Sequence, residues 1–180
     1  MSALLIAIVG AESTGKTTLA ARLSEAVAQR TGLRCTSVAE EVRLFCDREG
    51  RVPRQDEQAG IAGAQAAAIE AAARAHDLVF CDTTPLMTAV YSELIFNDHS
   101  LIEPALAFQR RCALTLVTAL DIAWEPDGLI RDGPHVRAPV DALILAALES
   151  GHIPWQRVTG SGPARLEAAL AAVLPLCVRR

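Results

Sequence analysis

The octapeptide Gly10-Ala11-Glu12-Ser13-Thr14-Gly15-Lys16-Thr17 places glycine, lysine and a hydroxyl residue at the spacing Gly-x-x-x-x-Gly-Lys-[Ser/Thr]. Upstream, Ala3 to Val9 is an unbroken apolar run, short enough for a strand buried on both faces. Downstream, Leu19, Leu23, Ala26 and Val27 recur at helical spacing and predict one apolar face of a helix that starts at the octapeptide. Strand, glycine-rich turn and helix in this order make a phosphate cradle. Gly10 and Gly15 admit backbone conformations closed to residues with a Cβ, which brings several N–H groups close to phosphate oxygens. The helix adds the positive end of its dipole. Lys16 is placed to reach the β- and γ-phosphates of a nucleotide such as ATP, and the Thr17 hydroxyl to ligate Mg²⁺. Glu12, Ser13, Thr14 and Thr18 complete the expected nucleotide-binding set around the loop. Lys16 is the only lysine in the chain, against 16 arginines. A compact ammonium is thus kept where a planar guanidinium would not fit.

The bulk properties narrow the classes. A chain of 180 residues suits one domain spanning 1–180, with a substantial core. Hydrophobic residues at 51% and charged residues at 21% give a globular balance with no disordered half. The formal net charge of -4 argues against a nucleic-acid backbone or an anionic membrane as main partner. Five scattered cysteines with no Cys-x-x-Cys pair suggest neither a disulfide framework nor a zinc site, and fit a reducing cytoplasm. The N-terminal apolar run lacks a basic leader and a cleavage site, and no stretch reaches the ~18 apolar residues of a membrane span. A soluble, cytoplasmic protein is expected; oligomeric state is not legible.

Beyond the first helix, Arg34 to Val38 reads as a second strand leading to Glu40, and Arg43-Leu44-Phe45 as a short helix. Cys46 to Gln55 is polar and turn-rich and is expected to be a surface connection. Asp56 to His76 is an alanine-rich helix. Leu78 to Asp82 has the pattern of a buried parallel strand closed by an acid, and Thr83-Thr84-Pro85 opens a helix to about Phe96. A helix over 101–111 and a strand over 114–120, capped by Asp121, follow. Between Ile122 and Pro139, prolines and glycines exclude a regular helix through the middle. That stretch is either a mobile lid carrying Arg131 and Arg137 or a solvated loop. A helix from Val140 to Gly151, a strand within 153–158, a turn at Thr159-Gly160-Ser161-Gly162 and a final helix close the chain. Strands alternating with helices predict an α/β fold: the P-loop NTPase three-layer α/β/α sandwich, with a parallel five-stranded sheet and a lid segment over about 124–139.

Several stretches together resemble the nicotinamide riboside kinase domain of bacterial NAD-biosynthesis regulators and its P-loop relatives, among them small-molecule kinases and relatives grouped with AAA-type ATPases. That family has a Gly-x-Glu-Ser-[Ser/Thr]-Gly-Lys-[Ser/Thr] loop, matched by Gly10 to Thr17. Its Glu-x-x-Arg after the second strand is matched by Glu40 and Arg43, its Ile-Ala-x-x-Gln by Ile61 to Gln65, and its Asp-Thr strand end by Asp82-Thr83. Its Trp-x-x-Asp-Gly-x-Arg lid is matched by Trp124 to Arg131 with one extra residue before the arginine, which shifts the register of Arg131 or rebuilds the lid locally. The resemblance covers Ile6 to about Gly160. It implies an ATP- and Mg²⁺-dependent kinase that phosphorylates the 5′-hydroxyl of nicotinamide riboside. The length of this sequence leaves no room for an adenylyltransferase or DNA-binding domain beside it, so a stand-alone enzyme is expected.

Roles follow from that reading. Lys16, Thr17 and Mg²⁺ hold the donor, while Arg131, with Arg137 as second choice, closes onto the transferring phosphate. Glu40 and Asp82, at the carboxyl ends of strands, are the acids available to the acceptor. Asp82 is assigned to the metal or its waters and the acceptor hydroxyl, and Glu40 to ribose hydroxyls; the reverse assignment stays open. Arg43, Gln65 and Trp124 join the substrate set, Trp124 being preferred over Tyr91 and Phe45 for stacking on a cationic ring. Asp121 has no matched role. The competing readings are a kinase for another nucleoside or small alcohol, and a nucleotide-dependent switch or ATPase module. No Asn-Lys-x-Asp guanine-reading motif is present, since Lys16 is the sole lysine.

Overall fold

The computed structural model describes residues 3–126 and 133–178. Five strands, β1 (Leu4–Val9), β2 (Cys35–Val38), β3 (Leu78–Asp82), β4 (Leu114–Thr118) and β5 (Trp155–Val158), form one parallel sheet in the order β2-β3-β1-β4-β5. Seven helices cover it: α1 (Lys16–Thr31), α2 (Glu41–Glu49), α3 (Gln55–Ala75), α4 (Pro85–Phe96), α5 (Ile102–Gln109), α6 (Arg137–Ser150) and α7 (Gly162–Cys177). The expected three-layer α/β/α sandwich is what forms.

The layering follows from period-two alternation in strands that are apolar on both faces. In β1, Ile6 and Ile8 face α1 and α7, where they join Leu23, Phe80, Leu116 and Leu170. Leu5 and Val9 face the opposite layer, Leu5 meeting Ile69 and Phe108, and Val9 meeting Leu86, Val140 and Ile144. Because both faces are dry, β1 is the sheet's central strand, bonded to β3 and β4. Its register sets Ile8 beside Asp82 and Val9 beside Val117. The crossover from β3 to β4 passes over β1, so the chain leaving β1 enters the crevice at the carboxyl edge where open α/β sheets bind ligands.

Local departures from the expected boundaries have physical causes. Helix α2 runs through Glu49, past the expected stop at Cys46, and ends at Gly50, whose φ of 67° supplies the left-handed cap. β4 stops at Thr118, two residues early, as Leu120 turns to solvent. β5 starts only at Trp155, because Pro154 cannot donate to a ladder and Ile153 is buried in the helical layer. Helix α6 begins at Arg137 after a 3-10 turn, Pro134–Val136, and Pro139 sits in its first turn, where no intrahelical donor is needed. Among the described residues, no helix is long and apolar enough to cross a membrane.

Candidate functional site

The site is built on the turn from β1 into α1. Gly10 has φ 154°, and a Cβ there would lie 2.0 Å from Thr118 Oγ1, so the loop starts in close contact with the end of β4. Thr14 turns inward, its hydroxyl donating to Ala11 O at 2.8 Å and lying 2.7 Å from Thr118 Oγ1. Ser13 (φ 56°) and Gly15 (φ 75°) take left-handed conformations that curl the loop over the N-terminus of α1. Lys16 Nζ reaches back across the loop to Ala11 O at 2.9 Å.

Asp82 arrives beside this loop because β3 pairs with β1. It is 3% exposed, the Thr17 hydroxyl donates to it, and its Oδ1 is buried without a hydrogen bond. Burial raises the pKa of this carboxyl above the usual aspartate value, opposed by the Thr17 hydrogen bond and by the charges of Lys16 and Arg43. Thr83, at φ 68°, then turns the chain into α4, whose N1 residue is Pro85.

A cleft of about 710 Å³ opens from the loop between α2, the α2–α3 connection and α4. Glu40 and Arg43 line it from the start of α2, Gln58 from α3, and Thr88 and Tyr91 from α4. Glu12 and Ser13 through Thr18 form its loop side. The structure thus brings the phosphate loop, Glu40 and Arg43 to one cavity; Asp82 is not among its described lining residues but sits beside Thr17, which is. Among the described residues no group of three or more His, Cys, Asp or Glu could hold a metal ion.

Other expected site residues lie elsewhere. Gln65 does not line the cleft: its Oε1 accepts from Glu41 N at 2.8 Å and its Nε2 donates to Ala39 O at 3.1 Å, so both ends of its buried amide are engaged by backbone. These two bonds hold the backbone on either side of Glu40. Trp124 is not among the described lining residues either, and its indole N–H is buried without a hydrogen bond. Of the three aromatics considered for stacking, Tyr91 is the one in the cleft, while Phe45 is packed in the core beneath Arg48 and Arg51. Arg137 is neither a solvated loop residue nor a cleft residue. It is 8% exposed and donates through Nη2 to Ile122 O at 2.8 Å. Arg131 lies outside the described residues, as does the rest of 127–132; Glu125, just before them, donates its N–H to Ser13 Oγ at 2.9 Å.

A second, smaller cavity of about 140 Å³ lies on the other side of the loop. Its most constrained member is Arg165, a residue absent from the sequence expectations. Arg165 is 3% exposed, donating to Thr14 O at 2.5 Å, Gly160 O at 2.6 Å and Ala119 O at 3.4 Å, and pairing with Asp121. Burial holds its pKa below the ordinary guanidinium value, with the Asp121 carboxylate opposing that shift. The readable signal was its place on α7, where Arg165, Ala169 and Val173 recur every four residues on the buried face. Asp121, set aside in the sequence, is its ionic partner.

Two solved structures of NadR, one in complex with NAD and AMP-PNP and one in complex with NR, resemble this fold with TM-scores of 0.76 and 0.74, each at 21% identity. They cover 98% and 96% of this chain, which in turn spans about half of theirs, 50% and 51%. A thymidylate kinase from Ehrlichia chaffeensis matches with a TM-score of 0.66 at 16% identity, over 98% of this chain and 100% of its own. At these identities the likeness is one of fold. No curated protein matches the chain. The family model described as an AAA domain matches residues 5–165, nearly the whole of the sheet and its helices, and on that match the chain belongs to the AAA domain family.

Proposed function

We propose that this chain is an ATP- and Mg²⁺-dependent kinase that transfers a phosphoryl group to the 5′-hydroxyl of nicotinamide riboside, with residues 1–180 acting as one kinase unit. The observation that carries the reading is a single cleft in which the phosphate loop faces Glu40 and Arg43, with Asp82 beside Thr17 behind the loop. A motor or switch has no need of an acceptor cavity of about 710 Å³ beside its phosphate site. The motif resemblance and the NadR structures holding AMP-PNP and NR support the choice of substrates.

In this reading the backbone N–H groups of 12–17 and the N-terminus of α1 hold the triphosphate. Lys16 leaves Ala11 O for the β- and γ-phosphates. Thr17 Oγ1 and the unbonded Asp82 Oδ1 are hard oxygen donors that fit Mg²⁺, which takes one or two protein oxygens and completes its shell with phosphate and water. When bound, the ion would supply charge neutralisation at the β- and γ-oxygens. Glu40 holds ribose hydroxyls, and Gln65 holds Glu40 in place. The acceptor oxygen forms a new bond to the γ-phosphorus as the bond to the β,γ-bridging oxygen breaks; ADP leaves, and the hydroxyl proton passes to Asp82. Arg131 closes on the transferring oxygens, a role worth roughly 4 to 7 kcal/mol. Tyr91 supplies the ring face that a cationic base favours.

ATP consumption by the purified protein, measured with a panel of nucleosides and without any, tests this. Turnover dependent on nicotinamide riboside is the expected result. Transfer to a different nucleoside alone would reassign the substrate, and turnover independent of any acceptor would sink the kinase reading.

A further inference from the structure

We propose that Gln58 reads the carboxamide on the acceptor's ring and makes the large cleft prefer that amide to the matching carboxylate. The inference rests on the kinase reading in taking a pyridine riboside as acceptor. It concerns the end of the cleft away from the phosphate loop.

Helix α3 buries Gln58, Ile61, Gln65 and Ile69, a stripe at spacings of 3, 4 and 4. Two of the four are primary amides, and the two differ. Gln65 engages backbone with both ends of its amide, at Ala39 O and Glu41 N. Gln58, only 5% exposed, makes no side-chain hydrogen bond among the described residues, and its amide is not sealed from solvent. It therefore opens on the cleft that it lines. A buried amide without partners costs stability unless a group that enters the cleft supplies them.

Position narrows which group that is. Gln55, in the first turn of α3, reaches Asp98 just past the end of α4, so the start of α3 lies beside the end of α4 and the helices run antiparallel. Helix α4 leaves the Asp82 end of the site and lines the cleft with Thr88, Tyr91 and Ile95 on successive turns. Gln58, one turn in from Gln55, is thus level with Ile95, about 10 Å along the helix axis from Thr88. A ribosyl group beside Thr88, with its 5′-hydroxyl toward Lys16 and its ring against Tyr91, brings a ring substituent to Gln58.

The surroundings favour a neutral substituent. Val52, Ile95 and Phe96 give that end of the cleft apolar walls. The nearby charges cancel, since Arg51 and Arg54 are paired with Glu57 and Asp56, and Asp98 adds a negative charge beside Gln55. A primary carboxamide offers the NH₂ and C=O that a glutamine amide matches with two hydrogen bonds. A carboxylate offers acceptors only and leaves Gln58 Oε1 facing oxygen.

Steady-state kcat/KM with saturating MgATP tests the proposal on three acceptors: nicotinamide riboside, nicotinic acid riboside and the unsubstituted pyridinium riboside. Wild type is expected to favour the amide over the acid by at least about tenfold. Gln58→Leu should lower kcat/KM for nicotinamide riboside about tenfold and leave the unsubstituted riboside within about twofold. Gln58→Glu, whose carboxylate still accepts from the NH₂, should keep the amide as acceptor and lower use of the acid about tenfold further. If Gln58→Leu does not fold, Gln58→Met, similar in length and without the amide, is expected to give the same pattern. Equal use of amide and acid by wild type overturns the proposal. So does an unchanged kcat/KM for nicotinamide riboside, or an equal loss on all three acceptors, in the apolar variant. Transfer to none of the three by wild type overturns the pyridine riboside acceptor and the role of Gln58 with it.

Discussion

The two sides of the phosphate loop are built on opposite plans. On the small-cavity side Arg165 is tied to Thr14, Gly160 and Asp121, and Thr14 to Thr118. Toward the large cavity, Asp82 Oδ1 is buried without a hydrogen bond, and the Gln65 amide holds the backbone on either side of Glu40. A buried polar network that is fully engaged rigidifies, whereas a buried oxygen left unbonded is held ready for a ligand at a cost in stability. The difference teaches that the small-cavity side is formed in advance, whereas the other side keeps the buried Asp82 Oδ1 ready for a ligand.

The sharpest break would come at Lys16, which serves both sides. Lys16→Ala is expected to lower kcat about 10³-fold with little change in melting temperature, as measured by coupled ADP release and thermal unfolding. Near-normal turnover would mean that the donor side does not depend on its cation. Asp82→Asn should lower kcat about 10²-fold. The same variant should melt at or above the wild-type temperature, because a desolvated carboxylate is replaced by a neutral amide. A drop in both would show that Asp82 belongs to the tied network and not to the waiting one.

Smaller effects probe the supports. Gly10→Ala puts a Cβ against Thr118 Oγ1 and should destabilise the fold by about 1–3 kcal/mol in urea unfolding. Gln65→Leu should raise the acceptor KM about tenfold and leave the nucleotide KM unchanged, since the Gln65 amide holds the backbone that carries Glu40. A matched rise in both constants would erase the division between the two sides. The least change is expected from Glu57, which the Arg51 side chain and Arg54 N–H hold at a pKa of about 2, against an ordinary value of 4.5. Its stabilising contribution is present above the ordinary value and is lost as pH falls from there toward 2. Glu57→Gln should flatten that part of the acid-unfolding profile, and an unchanged profile would remove the pair from the α2–α3 connection's supports.

Reading the sequence reached the fold because β1, the loop and α1 each carry a strong local signal: an unbroken apolar run, two glycines at fixed spacing and a helical repeat. That Glu40 and Arg43 reach the cleft of the phosphate loop, with Asp82 beside it at Thr17, has a related cause. Acids and bases at the carboxyl ends of parallel strands converge whatever the loops do. That Gln65 and Arg137 bond backbone carbonyls was not legible, since periodicity tells which face a residue occupies but not whether its polar end meets a cavity or a backbone carbonyl. The pairing of Arg165 with Asp121 joins residues 44 positions apart and depends on how α7 meets the end of β4. No local pattern encodes such a meeting, although an arginine on an otherwise buried helix face marks that some partner must exist.

The single lysine has a chemical consequence. Apart from the chain's own α-amino group, Lys16 is the one primary amine in the molecule, and its half-buried Nζ rests on Ala11 O. An acylating reagent therefore labels the phosphate loop or almost nothing. The stoichiometry of a single acylation, followed by mass spectrometry as ligands are added, becomes a direct count of occupied loops.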